Sequence, residues 1–218
     1  MEMLKGKRVA VTGHTSGIGK EIYDYCMFHG ADVRGYSRSN GYNIADRTGD
    51  HIINDCLGWD ADIVFNHAWV PRAQNKILKI LHTQWKDKDK VIINTGSATC
   101  YYSIGADVYE TDKAELRDYC IMAAKEFPYK NKCRIHNVSM GWTNSAILDG
   151  VEDGEYFIPP YEAALVLINL AQPQNYVVSE IVVNAKFKPL KNMVALRDIA
   201  QNNVLKSLTD ERNDQGAK

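Results

Sequence analysis

Tyr109 and Lys113 stand four residues apart, and Ser97 precedes the tyrosine by twelve residues. That set can protonate a carbonyl while a nicotinamide delivers hydride. A phenol has a reference pKa near 10, so Tyr109 shuttles protons near neutrality only if a neighbour stabilises its anion. Lys113, one helical turn away on the same face, is such a cation. Ser97 would hydrogen-bond the substrate oxygen and hold it against the phenol, with hydride arriving from the nicotinamide C4 on the opposite side. In the reverse direction the tyrosinate removes the alcohol proton. The spacing alone carries little weight: in a chain with 12 tyrosines it is expected about once by chance, and an isolated pair of this kind is more often an amphipathic surface pair. Its surroundings decide.

Those surroundings alternate short β-rich runs with helix-length segments. Strands are expected at Arg8 to Thr12, Val33 to Tyr36, a brief run near Tyr42 to Ile44, Ile63 to Asn66, Val91 to Thr95, Cys133 to Val138 and Ile181 to Asn184. Helices are expected at Ile18 to His29, Arg47 to Leu57, Ala73 to Trp85, Val108 to Glu126 and Pro160 to Ala171. Strands this apolar, separated by helices, imply an α/β fold: a doubly wound, Rossmann-type parallel sheet of about seven strands covered on both faces. In such sheets ligands sit beyond the carboxyl ends of the strands, so the residues just after each strand are the ones that carry function.

Length and composition bound the rest. With 218 residues and 45% apolar content, the chain supports one core, read as a catalytic domain over 1–185 followed by a tail over 186–218, helical and then frayed. Its formal net charge of -1 gives no field that would recruit nucleic acid or an anionic membrane. No apolar stretch approaches the roughly 20 residues of a membrane span, and the N-terminus has no signal-peptide pattern. Five scattered cysteines without a C-x-x-C pair read as free thiols in a reducing cytoplasm. No metal-ligand pattern stands out.

The segment Thr12-Gly-His-Thr-Ser-Gly-Ile-Gly19 follows the first strand and opens the first helix, where a pyrophosphate meets backbone N–H groups and a helix dipole. Thr12-Gly13 with Gly17 and Gly19 resembles the cofactor loop of the short-chain dehydrogenase/reductase family, and later landmarks fall in the same order. Asn66-His-Ala-Trp69 resembles the family's Asn-Asn-Ala-Gly, and Asn94-Thr-Gly-Ser97 its catalytic serine segment. Tyr109-x-x-x-Lys113 follows, and Met140-Gly141 stands where the family has Pro-Gly, with Ser145 four residues after the glycine in the place of a threonine. The resemblance spans roughly Gly6 to Ala185.

What the resemblance implies is an NAD(P)(H)-dependent oxidoreductase acting on a small carbonyl or alcohol, with Ser97, Tyr109 and Lys113 catalytic and Lys113 also binding ribose. The implied cofactor contacts are Gly13, His14, Thr15, Ser16, Gly17, Ile18 and Gly19 of the loop, and Ser37 and Arg38 after the second strand. Asn43 and Ile44 at the adenine, Asn66, His67 and Ala68, and Gly141, Thr143 and Ser145 complete the set. The family often places an Asn behind the lysine to hold a water. Asn75 is the candidate, though it reads equally as a helix N-cap. Only 30 residues separate Asn66 from Ser97, so the intervening helix is short for the family.

Cofactor choice is read at Gly35-Tyr-Ser-Arg38, which lacks the acid that would accept bonds from a 2′-hydroxyl. Ser37 and Arg38 suit a 2′-phosphate instead, favouring NADP(H) over NAD(H). His14 or Ser16 stands where many NADP-preferring relatives carry a second basic residue. The segment from Ala146 to Ile158, in the place of the family's substrate lid, is acidic or simply solvated. Trp69, Tyr101, Tyr102, Trp142 and Tyr156 line a pocket or belong to the core. Relatives commonly form dimers or tetramers, so a homo-oligomer is expected. Two other readings stay open: a non-catalytic dinucleotide sensor on the same fold, and a sugar-nucleotide epimerase or dehydratase, for which the C-terminal portion is small.

Overall fold

The computed structural model describes residues 2–45, 48–143, 157–173, 176–185, 201–203 and 206. Among them, β1 (Arg8–Thr12), β2 (Asp32–Tyr36), β3 (Ile63–Asn66), β4 (Val91–Ser97), β5 (Arg134–Met140) and β6 (Ile181–Val183) form one sheet. Every adjacent pair is parallel, in the order β2-β1-β3-β4-β5-β6. Helices α1 (Gly17–Phe28), α2 (Thr48–Gly58), α3 (Ala73–Trp85), α4 (Asp107–Ala124) and α5 (Pro160–Leu170) connect and cover the strands.

All residues of β3, β4 and β5 are buried, which is why β3 and β4 open on continuous apolar runs instead of alternating, while β5 carries buried Arg134, His136 and Asn137 among its apolar residues. On one face Ala10, Val64, Ile92 and Ile135 pack against α2, α3 and α4 through Ile53, Leu78, Leu81 and Leu116. On the other, Val9, Val11, Phe65, Ile93 and Val138 meet Ile22 and Cys26 of α1 and Leu167 and Ile168 of α5. The spacing of four between Ile18, Ile22 and Cys26 keeps the buried side of α1 on one stripe. Pro160 opens α5 at a position that loses no helical hydrogen bond.

The sheet is the doubly wound arrangement expected, with six strands in place of about seven. No strand forms at 42–44: Tyr42 N donates to Ser37 O and Ala45 N to Asn43 Oδ1, which folds the segment into turns. β4 and β5 run further than their apolar stretches, in register from Val91↔Arg134 to Ser97↔Met140. A Cβ at Gly96 would lie 2.7 Å from Asn137 Oδ1, so glycine permits that close pairing. Of the segment over 186–218 only 201–203 and 206 are described, all helical, and Gln201 Nε2 donates to Gly105 O at 2.8 Å just before α4.

From β1 the chain moves outward to β2 and returns past β1 to β3, so the direction of winding reverses between β1 and β3. The crevice at that reversal opens at the carboxyl ends, beside Thr12 and Asn66.

Candidate active site

Gly13 (φ 74°) and Gly17 (φ 53°) take left-handed conformations that let the loop turn from β1 into α1. Gly13 N donates to Tyr36 O, tying the turn to the end of β2. A Cβ at Gly19 would lie 2.1 Å from Gly13 O, and one at Gly13 would press on Ala68. The cradle is therefore bare backbone. The first turn of α1 contains no acidic residue and Ser16 makes no side-chain cap, so Thr15 and Ser16 stand exposed at a positive helix end. Ile18 is buried and anchors the helix. These features fit a pyrophosphate.

Thr12 joins the two sides of the crevice: its Oγ1 donates to Phe65 O and accepts from His67 N and Ala68 N at 2.9 and 3.0 Å. Asn66 lies beneath, donating to Gln74 O and Asn94 Oδ1. His67 Nδ1 is 3.1 Å from Thr95 Oγ1, and burial with the nearby Lys113 cation pushes its pKa down to about 4, keeping the ring neutral. His14 packs on Gly35, where a Cβ would lie 2.2 Å from the ring, and its ring also meets Tyr23, centroids 5.0 Å apart and tilted.

After β2, Ser37 caps a short 3-10 turn at Arg38–Asn40 and Arg38 projects exposed from it. The Ser37 hydroxyl lies 2.7 Å from Ser39 Oγ. Asn43 turns the chain toward α2 and Ile44 is buried under Gly49. At the end of β5, Gly141 N donates to Val183 O and Thr143 Oγ1 to Gly141 O. Ser145, and residues 146–156 of the expected lid, lie outside the described residues.

Ser97, Tyr109 and Lys113 come together where β4 meets α4. Burial raises the phenol above its ordinary pKa and a hydrogen bond with the Ser97 hydroxyl opposes that rise, so the phenol carries its proton at neutral pH. Lys113 Nζ lies over the Tyr109 ring, 5.4 Å from the centroid, and here burial and the Ser97 hydroxyl, not the lysine, set the direction of the phenol's shift. Lys113 is itself pushed down to about 7 by burial, against which Asp112 and Cys100 act. Thr99 Oγ1 and N both donate to Ser97 Oγ, at 2.9 and 3.3 Å.

Asn75 is not brought to the lysine. It faces α4, donating to Asp112 O and Glu115 Oε2, and with Asp112 lines a cleft of about 610 Å³ between α3 and α4. The residue that touches Lys113 is Gln74, whose Oε1 accepts from Nζ at 2.8 Å while Thr95 O accepts from it at 2.7 Å. Sequence reasoning also missed how Trp69 is held. Its indole stands edge-on to Tyr109, centroids 4.8 Å apart, and donates to Asp112 Oδ2, which also accepts from Arg72 N. Trp69 was visible as an aromatic after a strand, but Asp112 as its anchor left no local pattern.

No protein-family model matches the sequence, and no curated protein matches it significantly. Solved structures do match in fold. An NADH-dependent reductase A1-R′ complexed with NAD shares 21% identity at a TM-score of 0.64, covering 83% of this chain and 95% of that one. A blue fluorescent protein from a metagenomic library, in complex with NADPH, shares 18% identity at a TM-score of 0.70, with 84% and 98% covered. A short chain dehydrogenase from Burkholderia cenocepacia in complex with NADP also shares 18%, at a TM-score of 0.67, with 84% and 97% covered. Over that share of its length, this chain has the fold of the short-chain dehydrogenase/reductases.

Proposed function

We propose that the protein is an NADP(H)-dependent oxidoreductase that interconverts a carbonyl and a secondary alcohol on a small organic molecule. The observation that carries this reading is the meeting of Ser97, Tyr109 and Lys113 at the end of β4, beside a bare glycine cradle on the same edge of the sheet. The Gly13–Gly19 loop would hold the pyrophosphate, and when bound the nicotinamide would supply or accept hydride. Ser97 orients the substrate oxygen. With its hydroxyl oxygen already accepting from Thr99, its own proton is available to that oxygen or to the phenol. Tyr109, protonated at neutral pH, donates to the carbonyl oxygen in reduction and takes the proton back in oxidation. Lys113 binds ribose and offsets the charge that forms on the phenol oxygen.

The three structural neighbours were solved with NAD, NADPH or NADP, which supports a nicotinamide cofactor. Exposed Arg38 beside Ser37 favours the 2′-phosphate. Unpaired cysteines support a cytoplasmic setting, and no helix among the described residues is long and apolar enough to cross a membrane. Self-association as a dimer or tetramer belongs to the same reading.

The test is fluorescence titration with NADPH and NADH, followed by turnover of a ketone panel by the wild type and Tyr109→Phe. NADPH should bind more tightly than NADH. The variant should bind NADPH as the wild type does yet lose on the order of 10²–10⁴-fold in kcat. Turnover unchanged by Tyr109→Phe would sink the mechanism. Tight binding without hydride transfer would favour a dinucleotide sensor, a reading to which Trp69 against the phenol ring lends weight.

A further inference from the structure

The side chain of Gln74 makes a closed set of bonds. Its Oε1 accepts from Lys113 Nζ at 2.8 Å, and its Nε2 donates to Asn66 O at 2.7 Å and to Thr95 O at 3.1 Å. Its main-chain carbonyl accepts from Asn66 Nδ2. The residue is 2% exposed and Lys113 3%, so water does not compete for these groups. The amide can sit only one way round. Reversed, its NH2 would face an ammonium and its oxygen two carbonyls. One side chain thus links the ends of β3 and β4 to α4 and presents a fixed acceptor to the lysine.

We propose that Gln74 is a positioning residue that clamps the Lys113 ammonium against the Thr95 carbonyl and so governs the charge state in which the lysine faces Tyr109. The inference rests on the reading of Lys113 as the cation of the site. Two protons of the ammonium are held by Gln74 and Thr95, which leaves one uncommitted to these acceptors, on a group that lies over the Tyr109 ring. A buried ammonium is costly unless such acceptors are in place. The other charged or titratable groups around it are Tyr109 and Asp112 on α4, Cys100 in the turn after β4, and His67 after β3. His67 is neutral and Asp112 is engaged by Trp69 and Arg72. Gln74 is the uncharged side chain in direct contact.

The experiment follows the 13Cε resonance of Lys113 against pH in cofactor-free protein, assigned by its loss in Lys113→Met. The wild-type midpoint is expected near 7, far below the ordinary lysine value. Gln74→Glu, which places an anion at the same acceptor, should move it up by about one pH unit or more. Gln74→Met, which keeps the volume but removes the acceptor, should move it down. The alkaline limb of NADPH affinity should shift in the same two directions. A purely structural role would lower stability without moving either midpoint. Variants that titrate as the wild type does overturn the proposal. If neither variant folds, a wild-type Lys113 midpoint near 10.4 overturns it as well. Because the titration uses neither substrate nor cofactor, it can fail while the oxidoreductase reading stands, and the reverse.

Discussion

Lys113 is a side chain whose burial works against the fold. Its pKa falls from the ordinary 10.5 to about 7, so between these values the folded protein binds fewer protons than the unfolded chain. Stability therefore rises with pH across that window, and below pH 7 the whole penalty of burying the cation is present. Lys113→Met should raise the melting temperature relative to the wild type most at pH 6, with the difference shrinking toward pH 10. A difference that does not vary with pH would show that the lysine is not desolvated in the native state. The grouping of Ser97, Tyr109 and Lys113 was legible in the sequence because they stand at a strand end and one turn apart on the helix that follows it. Gln74 was not, because it works through two main-chain carbonyls, which have no side-chain signature. Asn75, the candidate read from the sequence, is the next residue on the helix, and one residue is a rotation of about 100°, which turns its amide to Asp112 O and Glu115.

At the scale of elements, the turn from β1 into α1 is set by steric room. A methyl group at Gly19 would lie 2.1 Å from Gly13 O, a backbone atom that cannot swing aside. Gly19→Ala should cost about 1–3 kcal/mol of stability and weaken NADPH binding. Gly58→Ala at the end of α2, where nothing lies within 4 Å, should be tolerated. Chemical denaturation of the two variants side by side checks the contrast. Helices and buried strands were readable to within a residue or two because their periodicity is imposed by a two-faced core. The run at 42–44 misled because its tyrosine and isoleucine are apolar for another reason: Tyr42 stands edge-on to Tyr36 and Ile44 sits under α2. The extra length of β4 beyond Thr95 was hidden too, since Gly96 and Ser97 are not apolar yet are buried and paired.

For the molecule as a whole, acid should be the weak side. His67 and His136 are both held neutral, mainly by burial, with pKa values of about 4. Between that value and the ordinary 6.5 the unfolded chain takes up protons that the folded protein refuses, so stability is lost as pH falls through this range. Each histidine contributes a slope of roughly 1.4 kcal/mol per pH unit. The urea midpoint should therefore drop between pH 6.5 and 4.5, and less steeply in His67→Asn. A flat profile would contradict the buried neutral pair. The global architecture was legible from alternating elements and continuous apolar strands, whereas the polar row Thr12, Asn66 and Asn94 beneath the crevice, all fully buried, was not. Such residues read as surface unless their partners are known.

With no strand at 42–44, β2 is hydrogen-bonded, among the described residues, to β1 alone, with one side of its backbone ladder open. That edge carries exposed Asp32 and Arg34, the latter paired with Asp55 and lying over Trp59. The opposite margin among the described residues, β6, is three residues long. Charge on one margin and brevity on the other deny an incoming β segment a template, so the sheet gives up a strand without becoming a seed for fibrillar stacking.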